Sequence, residues 1–278
     1  MDDGEGTGDK LGRDWASRMS EITEREAADL SQLAFDRSKC APSGWGDDFV
    51  SAFIGRGHQN TWATFVRCKA EYNLLLDIHH VFRKAIDHLT NTREVVEAVF
   101  LPRSHAAYLG GAGFAMSGQL REAYLVLRGG LEDALYAYFI FIDSEAKRAW
   151  LEGDKQVRRN KFHMGSILQK LEAREGRFGS GVRDLYGLLI ELGAHPNPSA
   201  VFPNMQIKQT EEFIQFDSLY LNIAPSPLKA ALKTSACVGA WVLQVFQRVF
   251  ETRFELIGIV EDVNRVKEGL SVLNAMQQ

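Results

Sequence analysis

Residues 119–142 read QLREAYLVLRGGLEDALYAYFIFI. Apolar side chains recur so densely that no wet face is left, and the stretch predicts a helix buried on most sides. Set into it are Arg128, Glu132 and Asp133. Charges on such a helix must be paired or hydrogen-bonded, because burying one alone is costly. Arg128 and Glu132 are four residues apart and share one helix face. They mark where a polar interior site would lie. In the functional reading, the guanidinium binds an anion or orients a carboxylate. In the structural reading, which the general behaviour of buried ion pairs favours, the pair clamps this helix to its neighbours.

Working outward, the chain reads as helices throughout. Residues 14–37 are rich in Glu, Ala and Leu and predict a first helix. Residues 40–58 carry Pro42, Gly44, Gly46, Gly55 and Gly57 and read as a connector. Asn60 resembles an N-cap for a long helix to about Leu89. A helix restarts at Asn91-Thr92, is interrupted or kinked at Pro102 and runs to Met116, with Ser117-Gly118 as the turn. Gly110, Gly111 and Gly113 on that helix, and Gly129 and Gly130 on the next, offer flat faces that would pack together.

Beyond Asp143 shorter helices are expected at 145–151, 155–172 and 182–192, the last stopped by Gly193. His195-Pro196-Asn197-Pro198 is a break. Residues 201–222 lack clear helical periodicity, and Val201-Phe202 and Met205 to Lys208 are expected to face Phe213 to Leu221 in a small hairpin across 209–212. Ser226-Pro227 opens a long helix to about Glu251, and 254–275 is an amphipathic last helix. The fold class is therefore an all-α, antiparallel multi-helix bundle with a small hairpin near 201–222. Residues 1–12 are expected as a disordered tail and 13–278 as one integrated helical domain.

Bulk properties narrow the function classes. A net charge of −4 gives no global attraction to nucleic acid or anionic lipid. The start of the chain lacks the basic and apolar regions of a secretory signal, and no apolar run is long and uncharged enough to span a membrane. Cys40, Cys68 and Cys237 are odd in number and lack metal-ligand spacing, which points to reduced thiols and a cytoplasmic setting. No cofactor is expected, since the chain has no Gly-x-Gly-x-x-Gly, Walker loop or Gly-x-Ser-x-Gly elbow.

Several residues carry sharper readings. His195 lies on a stiff backbone before two prolines, where an acid–base imidazole or a simple hydrogen-bonded histidine would both fit. Asp77 and His80 form an acid-x-x-His pair, but di-metal bundles need a second copy and there is none. His79, His80 and His88 match no metal spacing and read as a solvated face. Lys155, Arg158, Arg159 and Lys161 form a basic run, read as an exposed helix start or, more sharply, as a phosphate-binding patch.

Two resemblances follow from these residues. Arg158 and His163 make an Arg-x4-His that resembles the motif of HEPN ribonucleases, helical proteins of bacterial toxin and phage-defence systems. That likeness implies RNA cleavage at Arg158 and His163, completed by a second subunit. Arg159 departs from the family, which prefers a polar uncharged or acidic residue there. Separately, Ser117-Gly118-Gln119, Glu122-Ala123, Leu127-Arg128, Leu131-Glu132 and Tyr138-Phe139-Ile140, with the later His195-Pro196, resemble a broad group of uncharacterised bacterial helical proteins across roughly 105–200. That resemblance implies an all-helical fold and a polar cluster of Arg128, Glu132 and His195, without an activity. The expectation is a cytoplasmic interaction or ligand-binding protein, self-associating, with a protein partner or small anionic ligand at that cluster. The ribonuclease is the alternative.

Overall fold

The computed structural model describes residues 41–194, 196–210 and 213–275. The expected tail, the expected helix at 14–37, Cys40 and His195 lie outside them. The chain divides into Met1–Asp47 and Asp48–Gln278. Of the first unit only 41–47 are described, and they turn through a bond from Trp45 N–H to the Pro42 carbonyl at 3.0 Å. All that follows concerns the second.

The described chain is all-α apart from one hairpin. Helix α1 spans Phe49–Arg67. Asp48 caps it, its carboxylate accepting from the backbone of Val50 at 2.8 Å and of Ser51 at 3.0 Å. Asn60 is therefore not a cap. It lies inside α1, buried, and its amide donates to the Ser117 carbonyl at 3.2 Å. Tertiary packing overrides the low helix propensity of Gly55 and Gly57. The long helix expected from Asn60 is in fact two, because Cys68 separates α1 from α2, Lys69–His88.

A short α3, Val95–Ala98, leads into α4, Phe100–Ser117. Pro102 sits in the first turn of α4, where a missing N–H breaks no helical bond, so the interruption falls before the proline. Gly118 ends α4 at φ +89°. Its carbonyl accepts Asn222 N–H at 2.8 Å, which ties the α4–α5 turn to a later loop. Helix α5, Leu120–Ile142, follows. The two glycine faces do pack together. A Cβ on Gly111 would stand 2.5 Å from the Leu127 side chain, and one on Gly130 would stand 3.0 Å from Ala107 Cβ. The Ser104 hydroxyl donates to the Gly130 carbonyl at 2.9 Å across this contact.

Helices α6 (Ser144–Glu152), α7 (Lys155–Lys161), α8 (Met164–Glu175) and α9 (Arg177–Leu189) continue the chain. The helix expected over 155–172 is broken at Phe162, whose buried ring packs on Tyr136 and Phe139 at 5.0 and 5.4 Å. A π-helical turn, Ile190–Ala194, then replaces the expected stop at Gly193. Val201 and Phe202, expected in the hairpin, are helical instead, because Asn197 caps a one-turn α10 (Pro198–Val201) that runs into a 3-10 turn, Phe202–Asn204. Strands β1 (Met205–Gln209) and β2 (Ile214–Ser218) then pair antiparallel, with Met205 opposite Ser218 and Gln209 opposite Ile214. Helices α11 (Pro225–Val249), α12 (Glu251–Leu256) and α13 (Ile259–Ala275) complete it. Gly258, at φ +69°, separates the last two where one amphipathic helix was expected.

The core forms around α5, with α4 and α11 against it and α2 on α11. Phe82, Leu127, Leu131, Leu135, Tyr138 and Phe246 are fully buried there. Burying a side chain of this kind contributes roughly 1.5–3 kcal/mol each. One polar pair is set into the α2–α4 contact. His79 and His105 stand 2.9 Å apart, Nδ1 to Nε2, and His105 stacks on Phe82 at 5.1 Å. A face read as solvated thus carries a histidine tied to the core.

Burial first, then the charges of His79 and Arg83, hold the His105 imidazole down at about 3, against an ordinary 6.5. The folded-state value lies below the unfolded one. Above pH 6.5 neither state binds the proton and the group contributes nothing. As pH falls below 6.5 the unfolded chain takes up the proton and the native state does not, so stability declines until about pH 3. By pH 5 the loss reaches about 2 kcal/mol. Urea unfolding at pH 7.5 and pH 5 should show a larger fall for the wild type than for His105→Gln by that amount. Equal falls would mean that the native imidazole titrates normally.

Candidate functional site

The charged island of α5 is only half withdrawn from water. Arg128 Nε stands 3.3 Å from Glu132 Oε1, and the two side chains are 29% and 34% exposed. The Nε atom itself is buried and has no hydrogen bond among the described residues, so the pair is held at ion-pair distance without alignment. Glu132 Oε1 also accepts the Tyr186 hydroxyl of α9 at 2.9 Å. Burial first, and then that carboxylate, push the Tyr186 phenol well above its usual value. Beside it, Asp133 accepts Arg103 Nε from α4 at 3.2 Å, and burial raises the Asp133 carboxyl. Tyr136 donates to the Phe162 carbonyl at 3.2 Å. The two carboxylates of the island, Glu132 and Asp133, therefore each end on a neighbouring element, while Arg128 is held by Glu132 within α5, which is the geometry of a clamp.

Of the expected trio, Arg128 and Glu132 are brought together and His195 lies outside the described residues. The π-helical turn before it packs on α5, where a Cβ on Gly193 would stand 3.0 Å from Tyr124 Cβ and 3.2 Å from Leu125 N.

Arg158 and His163 sit on different elements. Arg158 is exposed on α7, its guanidinium folded back onto the Gly153 carbonyl. His163 is exposed at the N-cap of α8. No hydrogen bond or ring contact joins them among the described residues. The basic run is also partly neutralised, since Lys161 reaches Asp143 at 3.4 Å and Glu145 at 3.5 Å. Among the described residues no group of three or more His, Cys, Asp or Glu is placed to hold a metal ion. None of the described helices is long and apolar enough to cross a membrane.

A second polar region was not anticipated. Where α5, α8 and α11 end, beside residues 91–94 and α12, the surface opens into a groove of about 1060 Å³. Its wall holds Arg93, Arg174, Arg248 and Arg253 against Glu94, Glu175 and Glu251. Helix C-termini carry partial negative charge and unsatisfied carbonyls, which draw cations to them. Accordingly Arg253 donates to the His88 carbonyl, at the end of α2, at 3.3 Å, while Arg248 folds back along its own helix onto the Gln244 carbonyl at 2.9 Å.

The carboxylates are partly spent. Glu175 receives Arg248 Nε at 2.9 Å and the Tyr138 hydroxyl at 2.8 Å, and Arg174 stands 3.8 Å away. The Arg248 guanidinium also lies 3.3 Å over the Phe178 ring. Burial first, then the bond to Glu175, raise the Tyr138 phenol. Glu94 takes the Thr92 hydroxyl at 2.6 Å. Arg93, exposed on the loop, makes no hydrogen bond or ion pair among the described residues. The signal available in sequence was an arginine in the last turn of three helices, Arg174, Arg248 and Arg253, which reads equally well as ordinary helix capping.

Comparisons with protein-family models, with curated proteins and with solved structures found no match.

The clamp has a measurable weight. Tyr186→Phe removes one hydrogen bond to a charged acceptor in a half-buried setting and should lower the unfolding free energy by about 1 kcal/mol in urea titration. An unchanged midpoint would deprive the Tyr186–Glu132 contact of any structural role.

Proposed function

We propose that this chain is a helical ligand-binding protein whose site is the arginine-lined groove at the ends of α5, α8 and α11, with a small anionic molecule as ligand. The observation that carries this reading is Arg93, a cation without an acceptor among the described residues, on the wall of a groove of about 1060 Å³. A groove of this size is ample for a small molecule. Glu175 is already shared by Arg174, Arg248 and Tyr138. Arg253 is bonded only to a neutral carbonyl. The donors left over on Arg93, Arg174 and Arg253 suit phosphate or carboxylate oxygens, which arginine binds through paired N–H groups.

In this reading the Arg128–Glu132–Tyr186 cluster holds α9 to α5 and does not contact the ligand. A cytoplasmic setting belongs to the same proposal and is supported by Cys68 and Cys237 as free thiols. Self-association also belongs to it, supported by the exposed Ile207, Phe213 and Ile214 of the hairpin.

Inorganic pyrophosphate, titrated calorimetrically at low ionic strength, should bind the wild-type protein and bind more weakly as salt is raised. Arg93→Ala and Arg174→Ala should each weaken it about tenfold, the worth of one charge-assisted hydrogen bond. Arg128→Ala should leave the affinity unchanged while lowering stability. Affinity that depends on Arg128 and not on Arg93 would return the site to α5. The ribonuclease expectation makes the opposite demand, RNA cleavage lost in both Arg158→Ala and His163→Ala. The separate, exposed settings of those residues predict no cleavage that depends on them.

A further inference from the structure

A second groove of about 600 Å³ adjoins the first. Its wall is mostly apolar, with Ile86 of α2, Leu89 just after it, Val95 and Val99 at α3, and Leu101 and Pro102 of α4. The two grooves share Asn91 and Thr92 and so border the same α2–α3 loop. Asn91, at this shared edge, adopts φ +54°, a left-handed conformation that asparagine tolerates better than most residues. Val95 and Val99 are 64% and 48% exposed, so the apolar wall faces outward.

We infer that the ligand is an anionic amphiphile, a single alkyl chain bearing a phosphate or carboxylate, with its head among Arg93, Arg174 and Arg253 and its chain along the Val95–Val99 wall. The inference rests on the proposed anion site and adds the chemistry of the rest of the molecule. Charge complementarity sets the direction in which the ligand lies. A cationic head would face the Arg93 and Arg253 guanidinium groups, which have no carboxylate partner among the described residues, and a neutral head would gain no charge-assisted bond from them. The apolar groove supplies affinity in proportion to the methylenes it takes from water, roughly fourfold for each. Neither half suffices alone. The arginine groove carries three carboxylates of its own, which limits what a bare anion gains there. The apolar groove is open to solvent, and its polar residues, Asn91 and Thr92, lie where it meets the arginine groove and not along the Val95–Val99 wall.

The test uses monomeric probes below their micelle concentrations. Octyl phosphate and methyl phosphate are titrated into the full chain by calorimetry, with octyltrimethylammonium as the opposite charge and pyrophosphate as the chain-free reference. Octyl phosphate should bind at least tenfold tighter than methyl phosphate. Val95→Asp, at an exposed first position of α3 where a carboxylate is compatible with the helix, should abolish that gain and leave pyrophosphate affinity within twofold. Arg93→Ala should weaken both phosphates together. Equal affinity for octyl and methyl phosphate, with pyrophosphate still bound, would overturn the amphiphile and spare the anion site. Octyltrimethylammonium binding as tightly as octyl phosphate would overturn head-group selection, and with it the inference. Absence of binding by pyrophosphate and both phosphates would overturn the inference and the anion site together.

Discussion

The close approach of α4 and α5 governs the rest of the structure. At Gly111 and Gly130 each helix meets its neighbour at a distance a methyl group would obstruct, 2.5 Å from Leu127 on one side and 3.0 Å from Ala107 on the other. Glycine costs a helix about 1 kcal/mol relative to alanine. The contact recovers this through dense packing and through the Ser104 bond to the Gly130 carbonyl. Once the two axes are fixed at this spacing, the rotation of α5 is fixed too. Its apolar side then meets α11, and Arg128, Glu132 and Asp133 turn to the edge where Tyr186 and Arg103 meet them. The same docking brings the C-terminal ends of α5, α8 and α11 together and so opens the arginine groove.

Two uses of charge can be told apart by what each group has left to give. On α5, Glu132 and Asp133 are answered by neighbours within 3.3 Å, and the pattern closes on itself. At the far end of the helix the count does not close. Glu175 is asked to serve two arginines and a tyrosine, while Arg93 has no acceptor among the described residues. A balanced island stitches elements together, whereas an unbalanced wall has donors free for something else. The difference lies in stoichiometry and not in depth of burial, since the island is itself about one third exposed.

What could be read from the chain follows its periodicity. The apolar density of 120–142, the hairpin between Met205 and Ser218, and the packing of the glycine faces all came from local pattern, and each is present. Punctuation residues were less faithful guides. Gly55 and Gly57 do not break α1, because Asp48 caps it and α4 supports it. Pro102 does not kink α4, because it occupies a turn with no bond to lose. His105 was silent in sequence, since a single histidine among Ser104 and Ala106 shows no sign of the ring 26 residues earlier that meets it. The arginine groove was equally hidden. Arg93, Arg174 and Arg253 lie on three separate elements, and only the convergence of helix ends makes neighbours of them.

Glu97 carries a different kind of consequence. Its carboxylate is 2% exposed on α3 and receives Lys147 of α6 at 3.0 and 3.2 Å. Undocking α6 would strip that carboxylate of its partner at a place closed to water. The short helix α6 is thereby denied independent fraying and made to open together with the wall of the apolar groove.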